Sequence, residues 1–308
     1  MPNPLARLTR AAIERLRHFE LLNSSSFDFG MEDGWEEVLP SLSDDKLFLD
    51  TYTEEILKER FDYYGITKGL RRAGIKKYAI TITTADPGFQ HLEVFSREPR
   101  ADDPVAELTL HKGNFSTRAP FAERLHGETI PMLFIQWIRL QNPLKSFLPD
   151  RPPLPGQKHP GLGIGDQVMV MLAALGEKQH TEGLANTPEY PHNAMLYCQR
   201  FQYINPDTEG KLVSLRRDFS EVPLSDLSWG ILLGCVRDKK TGAALEWPKE
   251  EQILPLGPKL KKYFHSRAYL LSVLTSSQEN VYELDLPKLA TLPRVLDDKP
   301  PSDHVVMT

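Results

Sequence analysis

Glycine recurs at 161, 163 and 165 in the stretch His159-Pro160-Gly161-Leu162-Gly163-Ile164-Gly165-Asp166, immediately ahead of an apolar run with helical period. A glycine-rich turn that opens a helix leaves several backbone N–H groups without intrahelical acceptors. They converge on one spot where the helix dipole also favours negative charge, so the chemistry to expect is phosphate binding. Two familiar nucleotide loops do not fit. A dinucleotide fingerprint needs a following strand that ends in Asp or Glu, and a Walker loop needs Gly-Lys-Ser/Thr at the helix start. Here Gly165 runs into Asp166-Gln167, and no long apolar strand follows. Other chemistries have less support. The nine histidines are scattered with no HExxH and no close ligand pair, and no G-x-S-x-G elbow occurs. No metal is expected.

The elements that must hold this loop follow from periodicity. An amphipathic helix is expected over residues 5–22, with a Ser/Asp/Glu-rich connector to 45, and helical patterns recur at 53–63 and 67–73, the latter closed by Gly74. The period then changes to two: 78–84, 92–97 and 105–111 read as consecutive antiparallel strands separated by Asp86-Pro87-Gly88 and Asp102-Asp103-Pro104. Residues 132–140 are a strand candidate that could also be helical. The loop's helix covers 166–178, a weak strand 182–186, a helix 191–200, and a hairpin pairs 201–204 with 212–216. Beyond 218, helical periods at 225–236 and 258–275 and one strand at 281–286 read as a C-terminal helical appendage (219–296) on a core of 46–218. The tail, 297–308, is expected to be disordered.

Composition narrows the class. The chain has 308 residues, 40% hydrophobic and 26% charged, with a net charge of −5. No global basic footprint favours nucleic acid, and no segment is long and apolar enough to span a bilayer. The arginine-interrupted N-terminus does not read as a signal peptide. Cys198 and Cys235 are the only cysteines and lack metal or disulfide spacing, which fits a reducing cytoplasm. The basic run at 259–267, with Tyr263 and Phe264 interleaved, is either a solvated helix face or a contact for an acidic partner.

A second element, Asn193-Ala194-Met195-Leu196-Tyr197 running into Phe201-Gln202-Tyr203, resembles the Asn-x-x-Ala…Tyr…Gly-Phe helix-to-strand element of the GNAT acyltransferases, whose Gly-x-Gly loop cradles the pyrophosphate of an acyl-coenzyme A. The two elements span about 70 residues. Two helices followed by three strands is also the order in which that core begins. The resemblance implies an α/β (α+β) fold with a central mixed, mostly antiparallel sheet flanked by helices. It also implies acyl-CoA as co-substrate and an amine of a small molecule or protein as acceptor. There are departures. The cation that usually precedes the loop falls on Pro160 or on Lys158, depending on which Gly-x-Gly is aligned. A proline-rich insert at 141–160 separates strand from loop. The family's tyrosine position falls on Tyr197 or Cys198.

Under that resemblance the coenzyme would be held by Lys158, Gly161, Gly163, Ile164, Gly165, Asp166 and Asn193. Tyr197 would be the general acid that protonates the departing thiolate. The strand at 105–111 would put Glu107, Thr109 and His111 on one face, with Glu107 or His111 as base. His159 and His192 flank the two motifs. The alternative function is a non-catalytic module on this or another α/β fold that holds a protein partner through the insert and the C-terminal helices.

Overall fold

The computed structural model describes residues 47–84, 88–97 and 103–295. The expected N-terminal helix, its connector and the tail lie outside the described residues. The first helix among the described residues, α1 (Glu54–Tyr63), starts where Thr53 accepts a hydrogen bond from the Ile56 N–H and where Glu54 and Glu55 complement the helix dipole. After α2 (Ile66–Arg72) the chain turns at Gly74, whose φ of +97° suits glycine. It then forms β1 (Tyr78–Thr83), β2 (Phe89–Ser96), β3 (Ala106–Phe115) and β4 (Ile130–Leu140). The ambiguous apolar run is therefore a strand, and its tertiary pairing with β3 decides it.

These strands build a mixed sheet in the order β1-β2-β3-β4-β5-β8-β6, where β5 is Gly183–Asn186, β6 Gln202–Tyr203 and β8 Gln252–Pro255. Every pairing is antiparallel except that of β4 with β5. One face is covered by α1, α2 and α3 (Gly165–Lys178). Leu57, Phe61, Leu70, Val168 and Leu172 pack there against Ile80, Leu92, Leu108, Leu110, Leu133 and Ile135. On the other face Met132, Ala185 and Ile253 meet Leu260, Phe264, Tyr269 and Val273 from two C-terminal helices, Pro258–Phe264 and Arg267–Glu279. Ser266 separates those helices by capping the second, accepting from the Tyr269 N–H.

The hairpin expected over 201–216 does not form. Tyr203 ends a two-residue strand, and Pro206–Asp218 is a helix. Asn205 caps it, Pro206 occupies a first-turn position where no N–H is needed, and Asp207 and Glu209 stand in the positive first turn. An Asn-Pro-Asp sequence serves a turn and a helix start equally well. Burial of Leu212 and Leu215, spaced for a helix, settles the choice. Beyond 218 the chain carries helices, a two-stranded ribbon of β7 (Val236–Asp238) with β9 (Tyr282–Leu284), an irregular stretch over 239–251, and β8, which enters the central sheet between β5 and β6. The basic run splits by face: Leu260, Tyr263 and Phe264 are buried, while Lys259 pairs with Glu128 at 2.6 Å.

Candidate functional site

The site begins where β4 and β5 part. They pair in parallel only over Met132–Ile135 with Gly183–Asn186, and β4 then runs on to Leu140 with no strand on that side. The gap is a cleft of about 510 Å³. Its walls are residues 135–140 of β4 with Gln141 beyond them, the glycine loop, Asn186 at the end of β5 with residues 187–190 after it, and the helix α4 (Pro191–Tyr197) with Arg200 just beyond it. Opposite the parting point β4 carries a bulge. Thr109 registers with Trp137 and Leu110 with Ile135, which leaves Gln136 as the extra residue.

The proline-rich insert loops out and returns without disturbing this geometry. Gln141 and Gly161 form an antiparallel bridge, the Asn142 N–H donates to the Pro160 carbonyl at 2.7 Å, and the Leu162 N–H reaches the Leu140 carbonyl at 3.4 Å. The strand therefore hands over to the glycine loop as though the insert were absent. The insert itself is strapped down. Trp229 Nε1 donates to the Pro153 carbonyl at 3.0 Å, and Gly156, at φ +74°, lies under Tyr190, whose ring a Cβ there would meet at 2.7 Å.

The loop faces the cleft. Gly161, Gly163, Gly165 and Asp166 line it, and Gly163 has φ +71° with open space where a Cβ would stand. Ile164 caps α3 without a side-chain hydrogen bond, and its own side chain is buried in the core, so only its backbone is available to a ligand. Val168 donates the first intrahelical bond, to Ile164. The N–H groups of Gly163, Ile164, Gly165, Asp166 and Gln167 meet no acceptor among the described residues. Such a row of free donors at a helix start is a ready anion site. Lys158 lines the same cleft but is paired with Asp103 at 2.7 Å, as is His159 at 3.0 Å. Hydrogen bonds from those two side chains, Lys158 first, hold the Asp103 carboxyl below its usual range. Arg200, which sequence reasoning passed over as a ligand, approaches Asp166 to 3.8 Å and adds a cation across the loop.

On α4, Asn193 and Tyr197 line the cleft and Cys198 does not. Of the two positions left open by the sequence, Tyr197 is the one at the cleft. The Tyr197 hydroxyl is engaged by no described residue, and burial pushes its pKa up, so it is a protonated phenol at neutral pH. Cys198 turns its thiol onto the Met195 carbonyl at 3.0 Å, and burial raises its pKa too. His192 is buried, stacks on Tyr190 with ring planes 9° apart, and contacts Ser228 Oγ at 3.2 Å; burial lowers its pKa to about 4.

Glu107 and His111 share a face of β3 beside the cleft without lining it. Glu107 accepts from Trp137 Nε1 at 2.9 Å and pairs with Arg139, and both partners are cleft residues of β4. His111 stacks on Phe134 at 4.7 Å and meets the bulge residue through Gln136 Nε2, 3.2 Å from its Nδ1; burial lowers its pKa. Gln136, Trp137, Arg139 and Asn186 escaped sequence reasoning because only strand register brings them here. Among the described residues no group of three or more His, Cys, Asp or Glu side chains could hold a metal ion, and no helix is long and apolar enough to cross a membrane.

An α/β fold with a mostly antiparallel sheet flanked by helices, parted beside a glycine loop at the one parallel pair among the described residues, is GNAT-like. No family model matches the chain, and no curated protein matches it. Among solved structures it is similar to "Crystal structure of AtaTR bound with AcCoA", at 13% identity and a TM-score of 0.28 over 42% of this chain and 87% of that one. It is also similar to "AtaT complexed with acetyl-methionyl-tRNAfMet", at 12% identity and a TM-score of 0.28 over 70% and 91%. Superpositions this loose leave the fold class resting on strand order and direction.

Proposed function

We propose that the chain is an acyl-CoA-dependent N-acyltransferase acting on an amine of a small molecule or a protein. One observation carries the reading: the loop that bears the free amides of residues 163–167 lines, through Gly163, Gly165 and Asp166, the same cleft that opens where β4 parts from β5. A phosphate group would take the loop amides, with Arg200 and Lys158 supplying charge. An extended chain such as pantetheine would lie along the unpaired edge of β4 after Ile135, with Asn193 facing it. The reacting thioester then falls near the bulge at Gln136.

In the transfer the amine nitrogen attacks the thioester carbon, the C–N bond forms and the C–S bond breaks. The amine proton passes to His111 or Glu107, directly or through water, and Tyr197 donates its phenolic proton to the thiolate. The neutral imidazole of His111 suits a base. The Glu107 carboxylate is already occupied by Trp137 and Arg139, which favours His111 of the two. A non-catalytic module holding a partner through the insert fits less well, because that insert is bound down by Trp229 and Tyr190 as a wall of the cleft. The test is a ligand-dependent thermal shift. Acetyl-CoA or a longer acyl-CoA should raise the midpoint while ATP and NAD do not, and a response to NAD alone would overturn the reading.

A further inference from the structure

Three neighbouring strands carry a row of polar side chains, two buried and one half-buried, that the mechanism above does not use. Asn186 of β5 registers with Gln252 of β8, which registers with Tyr203 of β6, so the three side chains share one face and span about 10 Å across the strands. Gln252 and Tyr203 are fully buried. Asn186 Oδ1, both amide atoms of Gln252 and the Tyr203 hydroxyl are all buried without a hydrogen-bond partner. Leaving so many buried polar atoms unpaired is costly, and a concentration at one place calls for an explanation.

The four atoms complement one another in order. They are unbonded as placed, and a side-chain rotation within the registered row would let the Tyr203 O–H donate to Gln252 Oε1 and Gln252 Nε2 donate to Asn186 Oδ1. Asn186 lines the cleft at the last paired residue before β4 and β5 separate, and its Oδ1 is buried, which leaves its Nδ2 as the amide group to offer a ligand there. Tyr203 is a firm anchor for the row, since its N–H donates to Glu209 Oε2 at 2.8 Å and its carbonyl accepts from Tyr269 Oη at 2.6 Å.

We propose that Asn186 donates a hydrogen bond to the acyl carbonyl oxygen of the bound thioester, and that Gln252 and Tyr203 are positioning residues that orient its carboxamide. This rests on the acyltransferase reading, which places the thioester where the strands part. A fixed donor at the carbonyl oxygen polarises the carbon toward the amine and stabilises the oxyanion that develops there.

The test compares coenzyme A, which lacks the carbonyl, with acetyl-CoA by titration calorimetry, and reads the carbonyl stretch of bound 13C-labelled acetyl-CoA by difference infrared spectroscopy. Wild type should prefer acetyl-CoA by about two- to tenfold, the worth of one neutral hydrogen bond. Asn186→Ala should bind coenzyme A as wild type does, lose that preference and return the carbonyl band toward higher frequency. Gln252→Met and Tyr203→Phe, which keep the packed volume, should move the band partway in the same direction. An unchanged preference and band in Asn186→Ala would overturn the assignment while leaving the acyltransferase reading intact. Failure of wild type to bind either compound would remove that reading and this one with it.

Discussion

Replacing Gly163 with valine puts a side chain at the centre of the proposed phosphate cradle. Gly163 has φ +71°, and a Cβ there would meet nothing within 4 Å, so the substitution meets backbone strain and no collision with protein atoms. Holding an L residue in the left-handed region costs about 1–2 kcal/mol, more for a β-branched one. At about 2–4 °C per kcal/mol for a domain of this order of size, the ligand-free midpoint should fall by roughly 2–8 °C. The methyls would stand over the unpaired N–H groups of residues 163–167 and exclude a phosphate. A ligand at 100 times its Kd stabilises the native state by about 2.7 kcal/mol, which corresponds to a wild-type shift of about 5–11 °C. Gly163→Val should abolish it. Gly242→Val is the matched control, because Gly242 has the same φ of +71° and the same open surroundings but sits in the turn after β7, away from the cleft. Both variants should lose similar ligand-free stability, with only Gly242→Val keeping the acyl-CoA shift, measured by differential scanning fluorimetry. Equal ligand shifts in the two would refute the assignment of the loop as a phosphate site.

Tyr197→Phe should lower kcat by one to three orders of magnitude with the coenzyme dissociation constant within about twofold, the pattern of a lost proton donor, read from steady-state kinetics beside calorimetry. Cys198→Ala should leave turnover within about twofold, and the folded protein should react slowly with iodoacetamide, because Cys235 is buried and the half-buried Cys198 thiol has a raised pKa and is bonded to a carbonyl. His192 and Glu209 should tilt stability in opposite directions with pH. The His192 pKa falls from 6.5 to about 4, so its contribution is complete above pH 6.5 and lost as pH drops toward 4; that of Glu209 rises from 4.5 to about 7, so its contribution is complete below 4.5 and lost as pH climbs through 7. Each shift amounts to about 3 kcal/mol, and between pH 4.5 and 6.5 the two slopes oppose. Relative to wild type, His192→Asn should lose stability with rising pH across that window and Glu209→Gln should gain it, by urea denaturation; parallel curves for all three proteins would contradict the burial argument.

The sequence by itself was enough for whatever depends on neighbours along the chain. The alternation of 78–84, 92–97 and 105–111 marks β1 to β3, and the Gly161-Gly163-Gly165 spacing marks a helix start with free amides, because period and local sterics are encoded within a few residues. The same local logic failed at 205–216, where Asn-Pro-Asp suits a turn and a helix start alike and only the burial of Leu212 and Leu215 chose. Tyr197 over Cys198 was likewise undecidable from spacing; which of two adjacent helical residues meets the cleft depends on how α4 is rotated against β4 and the glycine loop. Gln136 at the bulge, Arg139 across from Glu107, and the Asn186-Gln252-Tyr203 row needed the assembled sheet. Strand β8 comes from some 65 residues beyond β5 and inserts between β5 and β6, so no local pattern could announce the partners that register with it. Register is a property of paired strands, and one residue of slip would have turned each of these side chains to the opposite face.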